Sequence, residues 1–396
     1  MHLTVLFPRL GPYHRARLGA LADRCTLTAI EFSTVDNTYA WDTVCAEEDY
    51  PVVSLFTDAD IDTKPLDAIV RKIEDVLGNM KPQVVAIPGW SSPAALAALE
   101  WCCATETPAL LMSESTSHDE PRMRWKEWVK TRIVRLFSAA LVGGTPHVDY
   151  LAAMGLARRS VFTGYDVVDN EYFAAQSDAA RSDDTALRLR HGLPARYLLA
   201  SNRFVEKKNL LRLLDAYAVY VERSGEAAWD LVLLGDGPMN VVLRDKVARL
   251  GLIRRVQFPG FKQYDELPVF YGLAGAFIQA STTEQWGLVV NEAMASGLPV
   301  LVSERCGCAP DLAKNGINGF TFDPYDVEGM IARMLEISGK RSDLAAMGQA
   351  SREIIRGWSP ETFATNMLKA ADMAMTATGH RASRLDRTLL WMVMRR

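Results

Sequence analysis

Short apolar runs separated by amphipathic stretches set the rhythm of the chain. The runs at 3–7, 27–31, 51–56, 83–87, 109–112, 140–142 and 161–163 read as buried strands. Helical periodicity falls between them at 64–77, 93–105 and 146–154. A second series follows at 197–201, 230–234, 256–258, 276–279, 300–302 and 319–322, with a helix over 210–220. Short apolar strands alternating with helices predict parallel sheets covered on both faces. The rhythm pauses at 174–185, AAQSDAARSDDT, a small and polar stretch that reads as an interdomain linker. Beyond 326 the pattern is helical, with breaks at Gly339 and Pro360. The expected fold class is α/β, with two Rossmann-like, doubly wound domains over 1–173 and 186–375. Ligands of such sheets sit at the carboxyl ends of the strands, so the cleft between the domains is the expected site.

Composition adds little beyond this. With 396 residues, 49% apolar and 23% charged, the chain can bury large cores and shows no compositional sign of long disorder. Forty-four basic against 48 acidic residues leave a net charge of −4, so bulk charge gives no reason to expect nucleic acid as a partner. No apolar run has the length of a membrane span. The run at 3–7 is too short for a signal-peptide core and leads into Pro8 and Arg9, so a cytoplasmic location is expected. Cys25, Cys45, Cys102, Cys103, Cys306 and Cys308 lack the usual zinc spacing and read as free thiols.

The most informative stretch is 281–299, STTEQWGLVVNEAMASGLP, placed after a strand and opening a helix near Gly287. A helix N-terminus offers free N–H groups and partial positive charge, and Gly287 lets another molecule approach that backbone closely. Glu284 precedes the helix and Glu292 lies inside it, with seven residues between them. Two carboxylates so placed can accept hydrogen bonds from sugar hydroxyls, although either alone reads as an ordinary helix-start acid. In 201–209, SNRFVEKKN, Arg203 and Lys208 flank a strand-to-helix turn where two cations could clamp a diphosphate, or could simply be solvated. Gly235 opens the turn of 231–238, LVLLGDGP, which lacks the third glycine of a dinucleotide fingerprint. Gly260 and Phe261, in 257–267, could hold a nucleobase by main-chain bonds and stacking, or form a plain turn.

Taken in order, Arg203 with Lys208, the GDGP turn, the Gly260–Phe261 turn, Glu284 and Glu292 with AMASGLPV, and NGINGF at 315–320 resemble the retaining nucleotide-sugar glycosyltransferases of the two-domain GT-B fold, family 4. The resemblance covers about 197–324; the first domain matches only in pattern. It implies a hexosyltransferase-type enzyme that moves a sugar from a UDP- or GDP-linked donor to an acceptor hydroxyl, with no metal and no cofactor. Arg203 and Lys208 would bind the diphosphate and stabilise the departing nucleotide. Glu284 would bind the donor sugar and Glu292 the ribose. Thr283, Trp286, Gly287 and Leu288 would border the sugar and phosphate, and Gly235, Gly260 and Phe261 the rest of the donor. Trp286 departs from the usual Phe and is expected to reshape the sugar pocket. Attack on the donor face that carries the leaving group, with the donor phosphate accepting the proton, would retain the anomeric configuration. A terminal helix at about 376–396 is expected to pack back on the first domain.

In the first domain, Gly11, His14 and Arg17 open a helix after the first strand and read either as contacts to the acceptor or diphosphate or as surface capping. His118 lies in 112–122, MSESTSHDEPR, on a strand-end loop where the family often carries a histidine near the reaction centre. Asp119, Glu120 and Pro121 suit a helix start. In 122–137, RMRWKEWVKTRIVRLF, Trp125, Trp128, Val129, Ile133 and Leu136 form a stripe among Arg124, Lys126, Lys130, Arg132 and Arg135. Arg381, Arg384, Arg387, Arg395 and Arg396 repeat the basic theme around an apolar tail. Both segments suit an anionic membrane surface, or else bury their stripes in the domain. The expected acceptor is a saccharide or lipid-linked intermediate of polysaccharide assembly, met at the inner membrane face. Rival readings are a manganese-dependent transferase using Asp58-Ala59-Asp60, a nucleotide-sugar epimerase on the same scaffold, and a regulator that binds nucleotide-sugar without turnover.

Overall fold

A computed structural model describes residues 1–34, 49–58, 60–120, 122–377 and 382–395. Cys45, Ala59, Pro121, Arg381 and Arg396 lie outside the described residues. The chain divides into two compact units, one of Met1–Val167 with Pro360–Arg396, the other of Val168–Ser359.

The first unit holds a parallel sheet of β1 (His2–Phe7), β2 (Thr26–Ser33), β3 (Val52–Phe56), β4 (Val84–Pro88), β5 (Ala109–Ser113), β6 (Ala139–Val142) and β7 (Val161–Thr163), in the order β3-β2-β1-β4-β5-β6-β7. The second holds β8 (Tyr197–Ser201), β9 (Asp230–Leu234), β10 (Val256–Gly260), β11 (Ala276–Gln279), β12 (Val300–Ser303) and β13 (Gly319–Phe322), in the order β10-β9-β8-β11-β12-β13. Of the central strands, β5 and β8 are buried along their whole length and β4 up to its last residue, Pro88, which is why they read as unbroken apolar runs. Helices pack on each sheet; the one at Pro93–Thr105 is started by Pro93 and by Ser92, whose hydroxyl accepts from Ala95 N at 3.2 Å. Strand order reverses between β1 and β4 in the first sheet and between β8 and β11 in the second. At such a reversal the following loops diverge and leave a crevice at the carboxyl edge.

The stretch expected as a linker is instead helical, over Asn170–Ser182 and Asp184–His191, and the second unit begins at Val168. Alanine and glutamine are good helix formers, and Phe173, Ser177 and Ala180 supply a buried stripe at helical spacing. Asp169 caps the start by accepting from Tyr172 N at 2.9 Å. The helix Pro360–Thr376, expected in the second domain, belongs to the first unit, as does the terminal helix Arg384–Met394.

Candidate active site

The reversal in the second sheet brings the loop after β8 beside the loop after β11. Asn209 fastens the two: its φ of 59° turns the chain out of the Glu206–Lys208 turn, and its side-chain amide donates to Ala280 O at 3.0 Å and Pro324 O at 2.9 Å. Asparagine tolerates this left-handed conformation better than most residues. Thr282 N donates to Lys207 O at 2.9 Å. These bonds set Lys208 against Glu284, and the two form an ion pair in which both side chains are largely buried.

Glu284 is held from behind as well. The oxygen that takes Lys208 also accepts Gln279 Nε2 at 3.1 Å and Ser281 Oγ at 3.2 Å. The other oxygen, Oε1, has no hydrogen-bond partner among the described residues, so one half of the carboxylate is anchored and the other remains to receive a ligand hydroxyl. Arg203 is exposed on the same loop as Lys208 and has no ion-pair partner among the described residues. Gly287 caps the helix Leu288–Ala295 with φ 104°; a Cβ there would lie 3.3 Å from Glu284 Cγ. Thr283 and Leu288, half-buried, flank this turn. The two glycine turns reinforce the edge. Gly235 N donates to Gly260 O at 2.9 Å, and a Cβ on Gly235 would lie 1.9 Å from Asn202 O. Phe261, beside Gly260, presents an exposed ring.

Two residues expected at the donor are turned inward. Glu292 is 1% exposed and accepts the Tyr271 hydroxyl at 2.5 Å. Burial and this carboxylate push the Tyr271 hydroxyl well above the ordinary tyrosine range. The expected ribose contact therefore finds Glu292 already committed within the unit. Trp286 is buried too: its indole N–H donates to Asn291 Oδ1 at 2.9 Å, its ring stacks on Trp358, and its carbonyl accepts Cys308 N at 3.2 Å. Through these contacts it ties its loop to the interior of the unit.

In the first unit, Gly11 caps the helix Pro12–Ala22, and its N–H donates to His14 Nδ1 at 3.1 Å. The His14 ring packs on Phe7, with centroids 4.3 Å apart. Burial and the nearby Arg17 pull its pKa down to about 3, so it is neutral near pH 7 and suited to accept that bond. Arg17 is not on an accessible surface, contrary to expectation. It is 2% exposed, donates through Nε and Nη2 to Val167 O at 3.2 and 3.1 Å, and lies over the Tyr165 ring. Asp166 lies 4.0 Å from it; burial and Glu114 push that carboxyl well up, with Arg17 pulling the other way. Arg17, the sixth residue of this helix, is thus committed to the interior of its unit. His118 is exposed on the loop after β5, in a turn closed by Asp119, which accepts from Thr116 N and Oγ1 at 2.7 and 2.6 Å. Asp119 thus caps that turn and not the helix, which begins at Arg124. Asp58 pairs with Lys64 at 2.7 Å, and Asp60 accepts from Asp62 N at 3.1 Å, so both acids of that triplet serve local structure.

Sequence reasoning passed over Asn209, Gln279 and Ser281. Each carried a signal: an asparagine between a basic turn and a helix, and polar side chains closing and following an otherwise apolar strand.

The two parallel sheets and their helices define a GT-B architecture, and known proteins agree. The Anabaena protein HepE, solved in complex with UDP and glucose, matches with a TM-score of 0.72 at 17% identity, over 94% of this chain and 99% of its own. Residues 187–354, all within the second unit, match the family model described as Glycosyl transferases group 1. Among curated relatives, mannosylfructose-phosphate synthase of Agrobacterium fabrum is 29% identical over 229 residues, covering 55% of this chain and 49% of that protein. GDP-mannose-dependent alpha-(1-6)-phosphatidylinositol monomannoside mannosyltransferase of Mycolicibacterium smegmatis is 29% identical over 226 residues, covering 55% of this chain and 56% of that protein. The match thus spans about half the length of these relatives.

Proposed function

We propose that the protein is a retaining, hexosyltransferase-type glycosyltransferase of family 4 that moves a sugar from a UDP- or GDP-linked donor to an acceptor hydroxyl. The observation that carries this reading is Glu284, anchored through one oxygen by Lys208, Gln279 and Ser281 with its other oxygen open, at the strand-order reversal of a group 1 domain. The Mycolicibacterium smegmatis relative is GDP-mannose-dependent by its name, and HepE was solved with UDP and glucose, which agrees with such a donor.

A bound donor diphosphate brings more negative charge than one carboxylate, so it competes for the Lys208 ammonium, while Arg203 reaches it from the solvent side. The N–H groups of the helix after Gly287 add favourable field at the same place. As the glycosidic bond lengthens, charge gathers on the leaving diphosphate, and these groups stabilise it where it forms. Glu284 Oε1 accepts a hydroxyl of the transferring sugar and fixes its orientation. The leaving phosphate takes the acceptor proton, so the bond to the acceptor forms on the face the nucleotide leaves. Because Arg203, Lys208 and the helix end supply the charge, the reaction needs no metal and no cofactor. His118 is assigned to the sugar from its own strand-end loop, and Gly11 and His14 to the acceptor side. The acceptor is a saccharide or lipid-linked intermediate of polysaccharide assembly.

Incubating the protein with UDP- and GDP-sugars in excess EDTA, with mixed glycolipid and oligosaccharide acceptors, tests this reading. The expected result is a new glycoside whose anomeric configuration matches the donor. Conversion of the donor sugar without any acceptor, or no turnover with any donor, contradicts it.

A further inference from the structure

We propose that the helices Arg124–Val134 and Arg384–Met394 together form one docking face for an anionic lipid surface. They lie far apart in sequence but side by side in the first unit. Arg132 Nε donates to Asp386 Oδ1 at 2.7 Å, and its Nη2 to Ser383 Oγ at 3.3 Å. Their inner faces, Ile133 and Val134 on one and Leu390 and Met394 on the other, join the same core.

The stripe read from sequence divides between two environments. Ile133 and Leu136 are buried, whereas Trp125 and Trp128 are 51% and 50% exposed. On the second helix Trp391 is 50% exposed, with Leu385 and Met392 beside it on the outer side. Among the described residues these three are the exposed tryptophans of the chain, and both helices share them. A soluble protein seldom leaves three large aromatic rings in water on adjacent helices, whereas tryptophan is favoured at a bilayer interface, where its ring is apolar and its N–H stays wet.

The charges select the kind of surface. The acids near these helices are already neutralised. Glu127 takes Arg122, Lys130 and the Tyr150 hydroxyl; Asp386 takes Arg132 and Ser383; Glu100 takes Arg387. Arg124, Lys126, Arg384 and Arg395 have no carboxylate in ion-pair reach among the described residues. Lys126 lies over the Trp125 ring at 5.8 Å and Arg395 over the Trp391 ring at 4.0 Å, so cation and apolar ring come paired. Such pairs match a layer with acidic headgroups over acyl chains. The inference stands apart from the transfer reaction, since it concerns neither Lys208 nor Glu284.

The test is co-sedimentation of the full chain, without nucleotide, with vesicles of phosphatidylcholine alone or mixed equally with phosphatidylglycerol, at low salt. The protein should sediment with the mixed vesicles only. The double variant Trp128→Ser with Trp391→Ser, and the double variant Arg124→Glu with Arg384→Glu, should each weaken that binding about ten-fold or more while keeping the wild-type melting temperature. Failure of the wild type to bind anionic vesicles overturns the proposal, as does unchanged binding by both variants. Loss of a homodimer in the tryptophan variant, with no lipid binding by the wild type, assigns the face to a second copy of the chain and equally overturns it.

Discussion

Lys208 and Glu284, 76 positions apart in sequence, form an ion pair across the strand-order reversal of the second unit. The pair holds two charged groups together, and the proposed function gives each a separate task once a donor arrives.

That separation of tasks predicts different defects. Lys208→Ala should lower kcat/KM for the donor by about 10²–10³, because the leaving diphosphate loses a cation. Glu284→Gln keeps the shape and the backing bonds but removes the charge that holds Lys208. Its turnover should fall by a similar factor, while the nucleoside diphosphate alone binds at least as well as to the wild type. Steady-state kinetics beside a binding titration of the free nucleotide checks both.

Gln279 and Ser281 orient Glu284 without facing solvent. Gln279→Leu should reduce kcat by about five-fold with little change in diphosphate affinity, since the carboxylate then loses one of its backing donors, a loss of about 1 kcal/mol in orientation. A parallel fall in nucleotide affinity would place Gln279 in a purely structural role.

Gly235→Ala should cost about 3 kcal/mol or more of stability in the second unit. The added carbon meets the Asn202 carbonyl at 1.9 Å on a backbone whose φ is 120°. Gly357→Ala, in the same unit, has a backbone outside the left-handed region and an added carbon 3.5 Å from Ile354 O, an ordinary contact; it is the control and should cost much less. Chemical denaturation of the two variants checks the contrast.

His14 predicts a pH effect of definite sign. Its folded pKa of about 3 lies below the ordinary histidine value of 6.5. The unfolded chain therefore binds the proton first, and stability falls as pH drops from about 6.5 toward 3. His14→Asn, which keeps an acceptor for Gly11 N, should flatten the part of this fall that His14 causes. Melting temperatures of both proteins between pH 7 and about pH 4.5 check it; equal slopes contradict the assignment.

Much of the fold was legible because buried parallel strands announce themselves as continuous apolar runs. The seven strands of the first sheet and the six of the second lie within the runs read, give or take end residues. The linker was misread because small polar residues suit a loop and an exposed helix face alike. Only the spacing of Phe173, Ser177 and Ala180 distinguishes them. At the candidate site, the pairing of Lys208 with Glu284 joins two separately recognised motifs. The inward turn of Glu292, Trp286 and Arg17 could not be read, because a polar or amphipathic residue on a helix is equally at home buried once it finds a partner. Here Tyr271, Asn291 and the Val167 carbonyl are those partners. Trp125 and Trp128 show the converse case, apolar residues on a core-facing pattern that the fold leaves outside.

The central claim is that the crevice between the loops after β8 and β11 grips a nucleoside diphosphate through Lys208. Isothermal titration of UDP and of GDP against the wild type and Lys208→Ala tests it most directly. The account predicts one site on the wild type for at least one of these nucleotides and an affinity about 10–100-fold weaker in the variant, equal to about 1.4–2.8 kcal/mol. Binding of equal strength in both proteins, or no binding of either nucleotide to the wild type, contradicts it.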